Sequence, residues 1–194
     1  MSIRLATKAD LLQILAIYAP YVENTTFSFE YEPPTPAEFE NRFSHITAQF
    51  PWLVWEENGE ILGYAYASAP FSRAAYRWCA EPSIYLAPHA RRKGIGKALY
   101  AALEELLRLQ GYRTAYAIIT SGNPDSIAFH KAMGYSYLAE FPDCGFKHGA
   151  WCGITWMEKL LNPVEMPSNF PKPYFSIVKD NKILQEILAK ISLS

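Results

Sequence analysis

Ser83-Ile84-Tyr85-Leu86-Ala87-Pro88 leads into Arg91-Arg92-Lys93-Gly94-Ile95-Gly96-Lys97 and then into a long amphipathic run, and this stretch decides the fold. It reads as strand, cationic glycine loop and helix. Beyond the loop the apolar residues Ile95, Ala98, Leu99, Ala102, Leu103, Leu106 and Leu107 recur at the spacing of one buried helical stripe. That leaves Lys97, Glu104, Glu105 and Arg108 for solvent, and Gly111 ends the run. A helix start presents unpaired N–H groups and the positive end of its dipole, so a basic glycine loop in front of it suits an anion. Gly94 and Gly96 remove the side chains that would keep an anion from the backbone, and Arg91, Arg92, Lys93 and Lys97 surround them. The loop reads as a pyrophosphate site; the alternative is a basic turn that merely begins a surface helix. A Walker loop would need Gly-Lys followed by Ser or Thr, and Ala98 follows here. A dinucleotide fingerprint would need a third glycine and a following acidic residue after an early strand.

Working outward, the 194 residues suit one domain of ordinary size. Half the residues are hydrophobic and 15% are aromatic, which fits a packed core plus an apolar pocket or subunit interface. A net charge of −1 argues against a broad nucleic-acid-binding face, so the basic cluster is local. Cys79, Cys144 and Cys152 form no CxxC pair and the four histidines follow no ligand pattern, so no metal is expected. With no charged-then-apolar leader before Ile3-Arg4-Leu5 and no apolar run of membrane length, the expected location is the cytoplasm.

In chain order, Ile3 to Ala6 reads as a strand, and Thr7 to Asp10 as a capping box opening a helix whose buried face is Leu11, Ile14, Leu15, Tyr18 and Tyr21. Thr35-Pro36-Ala37-Glu38 starts a second helix lasting to about Ala48. Trp52 to Glu56 and Ile61 to Ala69 are strands joined across Asn58-Gly59. Arg113 to Ile119 is a buried strand, and Asn123-Pro124 opens a helix to Ala132. Tyr135 to Phe141 and Ala150 to Lys159 are the last strands, linked by Pro142 to Gly149. The expected architecture is a mixed α/β sheet, mostly antiparallel, with helices on both faces. Residues 1–161 form one domain, and 162–194 are a proline-rich extension with amphipathic helical spacing from Asp180 to Ile191, expected to dock on its own domain or on a partner.

The spacing from Arg91 to Gly96 resembles the acetyl-CoA loop of the GNAT superfamily of N-acetyltransferases. Phe29-Glu30-Tyr31-Glu32-Pro33, Pro51-Trp52-Leu53-Val54, Ala75-Tyr76 with Trp78, Ala80-Glu81, and Gly145-Phe146-Lys147-His148-Gly149 with Trp151 narrow it to the branch that acetylates phosphinothricin and methionine sulfoximine. The resemblance covers Ile3 to about Leu161. It implies acetyl-CoA as co-substrate, a small amino acid or glutamate analogue as acceptor, and a homodimer.

Acetyl transfer to an amine needs a base for the ammonium proton, donors for the oxyanion and stabilisation of the leaving thiolate. Glu81 is the candidate base. It stands five residues before Leu86, roughly 16 Å along a strand at about 3.3 Å per residue, in apolar surroundings that should raise its proton affinity. The alternative is a salt-bridged or solvent-facing Glu at a bulge made by Pro82. His130 stands where many members of the superfamily carry the Tyr that protonates the thiolate; the alternative is a helix-end His meeting the dipole. By resemblance, the backbone of Ile84, Tyr85 and Leu86 pairs with the pantetheine amides, an N–H near Leu86 faces the oxyanion, and Asn123 caps its helix against the co-substrate. Phe29, Glu32, Arg73, Tyr76 and Lys147 are the acceptor candidates, Arg73 as a bidentate carboxylate or phosphinate ligand and Lys147 as added charge.

Overall fold

The computed structural model describes residues 2–163, 169–178 and 182–191. Seven strands, β1 (Ser2–Leu5), β2 (Trp52–Glu57), β3 (Glu60–Ser68), β4 (Cys79–Leu86), β5 (Thr114–Thr120), β6 (Ser136–Lys147) and β7 (Ala150–Leu160), form one sheet in the order β1-β2-β3-β4-β5-β7-β6. Every neighbouring pair is antiparallel except β4 and β5. The helices are α1 (Leu11–Asn24), α2 (Pro36–Thr47), α3 (Ile95–Gln110), α4 (Pro124–Ala132), α5 (Tyr174–Ile177) and α6 (Lys182–Ile191). None of the described helices is long and apolar enough to cross a membrane.

Side chains alternate along each strand, so the two faces of the sheet are covered by different helices. Tyr64, Tyr66 and Tyr85 stack on one face with Trp52, and the edges of Tyr18 and Tyr21 from α1 and Phe39 from α2 close over them. Ile84 and Leu86 lie on the other face, where the backbone of Gly96 in α3 approaches them; a Cβ there would sit 3.3 Å from Leu86 and 3.6 Å from Ile84. The β2–β3 hairpin turns at Asn58 and Gly59, both at positive φ (52° and 84°), as a two-residue turn requires. Thr35 and Glu38 complete the reciprocal cap of α2.

Four details depart from the sequence reading. The Thr7 capping box opens a 3-10 turn over Lys8–Asp10 before α1 begins. Tyr21 and Leu15 are only half-buried in α1, while Ile17 and Val22 join Leu11, Ile14 and Tyr18 inside. Glu104, assigned to solvent, is 7% exposed because Lys159 of β7 reaches it at 2.6 Å. The expected connection from Pro142 to Gly149 is mostly strand: β6 runs to Lys147 with its register shifted between Phe141 and Gly145, and turns at His148-Gly149, both at positive φ. Pro142 is tolerated because β6 is the edge strand, where a missing N–H costs no ladder bond.

The tail packs on the domain. Leu184 and Ile187 of α6 and Val178 beyond α5 enter the main core, and α5 and α6 both lie on α3. The Asp180 at which the amphipathic spacing begins lies outside the described residues.

Candidate active site

The site begins where the sheet opens. β4 and β5 pair only at Cys79↔Thr114 and Ala80↔Ala115, although β4 continues to Leu86 and β5 to Thr120. Ala87 N–H donates to Leu62 C=O, so in the regular β3–β4 ladder the backbone groups of Glu81, Ser83 and Tyr85 face β3. Those of Pro82, Ile84 and Leu86 face β5. Pro82 is thus the first β5-facing position beyond the pairing, and it has no N–H to continue the ladder. The strands part there without a bulge on the β3 side. The resulting cavity, about 90 Å³, is lined by Ile84, Tyr85, Thr120, Asn123 and His130 among others, with Tyr21 at one wall.

This register corrects one expectation. The Ile84 and Leu86 backbones face the opening, but Tyr85 is committed to β3 opposite Tyr64. Tyr85 can offer only its side chain to the cleft.

Glu81 is half-buried, on the same face of the sheet as Tyr85. Burial alone pushes its carboxyl above the usual range, and no hydrogen bond or ion pair among the described residues holds it. On the same face the 69–78 loop folds back through Phe71, which stacks on Trp156 at 5.8 Å, meets Tyr116 edge-on and touches Tyr76 at 4.6 Å. Arg73 and Tyr76 are exposed on that loop, around a 3-10 turn at Ala74–Tyr76.

At the other end of β4, Arg91, Arg92, Lys93 and Lys97 are all exposed around the start of α3. Gly94 is the N-cap at φ 80° and Arg92 also has positive φ, so the chain bends sharply through left-handed backbone as it enters the helix. Ile95 and Gly96 are buried: Ile95 anchors the loop in the core, and Gly96 permits close approach to β4. The sequence reading gave Gly96 an anion-clearing role; its nearest neighbours are instead Leu86, Ile84 and Phe129.

Two expected functional side chains are otherwise engaged. His130 is 4% exposed, its Nδ1 2.8 Å from Ser126 C=O and its Nε2 2.8 Å from the Tyr100 hydroxyl. A carbonyl can only accept, so Nδ1 carries the proton, and with burial favouring the neutral ring Nε2 accepts from Tyr100. The ring therefore has no free N–H for a leaving group. Lys147 is 2% exposed and donates to Val22 C=O (2.6 Å) and Ser28 C=O (2.7 Å). It meets the last carbonyls of α1 and ties down the following loop, a cation at a helix C-terminus, and is not available to an acceptor.

That loop, residues 25–35, carries Phe29 and Glu32, both exposed. It is pinned by Thr120 Oγ1 donating to Thr26 C=O, by Tyr31 donating to Phe146 C=O, and by the Phe29 ring lying where a Cβ on Gly145 would be. Asn123 caps α4 by accepting from Ser126 N–H at 3.1 Å and lines the cavity.

Tyr21 was not singled out by sequence. Its hydroxyl donates to Leu86 C=O at 2.7 Å and lies 3.4 Å from Leu86 N–H, and Arg91 donates to it at 3.0 Å while its guanidinium sits over the ring. It thus links the glycine loop to the open edge of β4. Three residues from Tyr18 on the same helix, it reads as one more core aromatic, and only the tertiary structure separates the two.

Residues 3–156 match the family described as Acetyltransferase (GNAT) domain. A phosphinothricin N-acetyltransferase from Streptomyces viridochromogenes is 33% identical, over 89% of this chain and 92% of its own. An L-methionine sulfoximine/L-methionine sulfone acetyltransferase from Pseudomonas paraeruginosa is 39% identical over 84% and 95%. Among solved structures, a phosphinothricin acetyltransferase from Sinorhizobium meliloti in complex with AcCoA superposes with a TM-score of 0.84 at 39% identity, covering 89% of this chain and 97% of its own.

Proposed function

The chain belongs to the GNAT acetyltransferases, and from that premise we propose that it moves an acetyl group from acetyl-CoA to the α-amino group of a small amino acid or glutamate analogue, phosphinothricin and methionine sulfoximine being the models. The observation that carries the reading is the parted β4–β5 edge: the β5-facing backbone groups of Ile84, and those of Leu86, which the Tyr21 hydroxyl engages, run from the basic glycine loop towards Glu81. An extended arm bearing amides can pair with such an edge as a strand does, and the basic turn from Arg92 to Gly94 with the N-terminus of α3 suits a diphosphate. Acetyl-CoA supplies the activated acetyl group; the chain's residues hold it and manage protons. Glu81, half-buried and uncommitted, takes the proton of the incoming ammonium directly or through a water. A backbone N–H of the β5-facing edge is the proposed oxyanion donor. Arg73 grips the acceptor's carboxylate or phosphinate, with Tyr76, Phe29 and Glu32 around it. His130 is assigned to holding α4 against α3 through Tyr100, which leaves the thiolate's proton to solvent.

Thiol release from acetyl-CoA, followed over phosphinothricin, methionine sulfoximine, the common amino acids and several polyamines, tests the reading. Turnover is expected with an amino acid and not with polyamines, which Arg73 repels. Preference for a polyamine or a protein terminus would shift the reading to another amine, and no release with any amine would leave a CoA-binding protein without turnover. A cytoplasmic setting is part of the proposal and is supported by three cysteines outside any disulfide.

The same proposal includes a homodimer. Tyr137, Phe141, Phe146 and Trp151 are exposed on the β6–β7 edge, where a partner would cover them. Light scattering at micromolar concentration should give twice the 22.0 kDa chain mass, and a monomer alone would remove the dimer from the proposal.

A further inference from the structure

Residues 170–173 follow the stretch matched by the acetyltransferase family and cross the end of α3 as a strap leading into α5. Lys172 N–H donates to Gln110 C=O at 2.8 Å, and Gln110 Nε2 donates back to Lys172 C=O at 2.7 Å and to Gln49 C=O at 2.9 Å. Gln49 Nε2 reaches Pro171 C=O at 3.3 Å, and Tyr174 N–H donates to Gln49 C=O at 3.1 Å. Gln110 is 2% exposed, so these bonds are sheltered from water. The strap carries Phe170 to the start of β4. Its ring lies 5.3 Å from that of Trp78, and the Arg77 guanidinium sits 5.0 Å above it.

Arg77 closes the 3-10 turn of the 69–78 loop: its N–H donates to Ala74 C=O, and Tyr76 N–H donates to Arg73 C=O. Every residue from Ser72 to Arg77 is exposed, so burial does little to fix this turn. At one end Phe71 stacks on Trp156; at the other Trp78 C=O accepts from Arg113 N–H at 2.8 Å, and Phe170 covers the Arg77-Trp78 pair.

We propose that Phe170 is a positioning residue for the acceptor site, holding the Arg73–Arg77 turn so that Arg73 and Tyr76 meet the amine substrate in one geometry. The inference rests on the acceptor reading of that loop given above. It makes the extension a determinant of acceptor affinity, whereas the buried side chains of α6 contribute stability.

The full-length Phe170→Ala variant should raise KM for the amino-acid acceptor by roughly two- to fivefold, the size of an exposed cation–π and ring contact, with KM for acetyl-CoA and kcat unchanged. Phe170→Tyr should restore the parental KM. Native-state trypsin should cut after Arg73 or Arg77 faster in Phe170→Ala than in the parent. Val54→Ala, a core variant in β2, should lower Tm without moving either readout, which separates positioning from general loosening. An equal rise in both KM values, or unchanged cleavage after Arg73 and Arg77, overturns the inference. If the parent turns over no amine, the function reading fails, and the trypsin comparison alone then decides whether Phe170 holds the turn.

Discussion

Glu81→Gln is expected to bind acetyl-CoA as the parent does and to turn over about a hundredfold more slowly near neutral pH. An α-ammonium cannot attack until it loses a proton, and Gln keeps the shape of the side chain while removing the acceptor. Burial lifts the Glu81 carboxyl above its ordinary value of 4.5, so the parental rate should rise with pH on an acid limb displaced upward from the usual carboxylate range. That limb should vanish in the variant. The deficit should shrink at high pH, where free amine is plentiful and needs no base.

The sign of the stability effect separates this role from a structural one. A carboxyl with a raised folded pKa stays protonated in the folded state while the unfolded chain has already released its proton, so stability falls as pH rises from 4.5 through the folded value. Gln escapes that loss. The variant should therefore match or exceed the parental Tm at pH 7 while losing turnover; a lower Tm with a parallel pH–rate profile would move the base elsewhere.

How much of this was legible depended on whether the cause was local. The glycine loop, the α3 stripe, the Asn58-Gly59 turn and the α2 cap are written in neighbouring residues, and each stands where the sequence put it. Pro82 was visible as well, but its consequence required knowing that its backbone faces β5, which only the β3 register settles. Lys147 and Glu104 were misread because their partners lie far along the chain, at Val22 and Ser28 for one and at Lys159 for the other. A charged residue is assigned to solvent unless a partner is known, and periodicity names no partner. His130 was placed correctly on α4, yet its hydrogen bond to Tyr100 fixes the tautomer and so what the ring can donate.

Gly94→Val should weaken acetyl-CoA binding by roughly a hundredfold in a protein that still folds, and the two glycines of the loop should fail in different ways. At Gly94 an added Cβ meets nothing within 4 Å, so the penalty is conformational: φ is 80°, a region that costs a β-branched residue about 1–3 kcal/mol. The chain can relieve that strain by swinging the exposed loop to negative φ, which turns the amides ahead of α3 away from the anion. Misplacing two charge-assisted donors at about 1.5 kcal/mol each weakens binding by roughly a hundredfold. Gly94→Asn, which tolerates positive φ better, should lose much less. Gly96 has the reverse problem, since its Cβ would stand 3.3 Å from the Leu86 side chain and 3.6 Å from that of Ile84, and a valine there crowds the packing of α3 on β4. Gly96→Val should thus lower Tm as well as affinity. Calorimetry with acetyl-CoA on the folded variants distinguishes the cases, and a Gly94→Val protein with parental affinity would show that the diphosphate is not held by this loop.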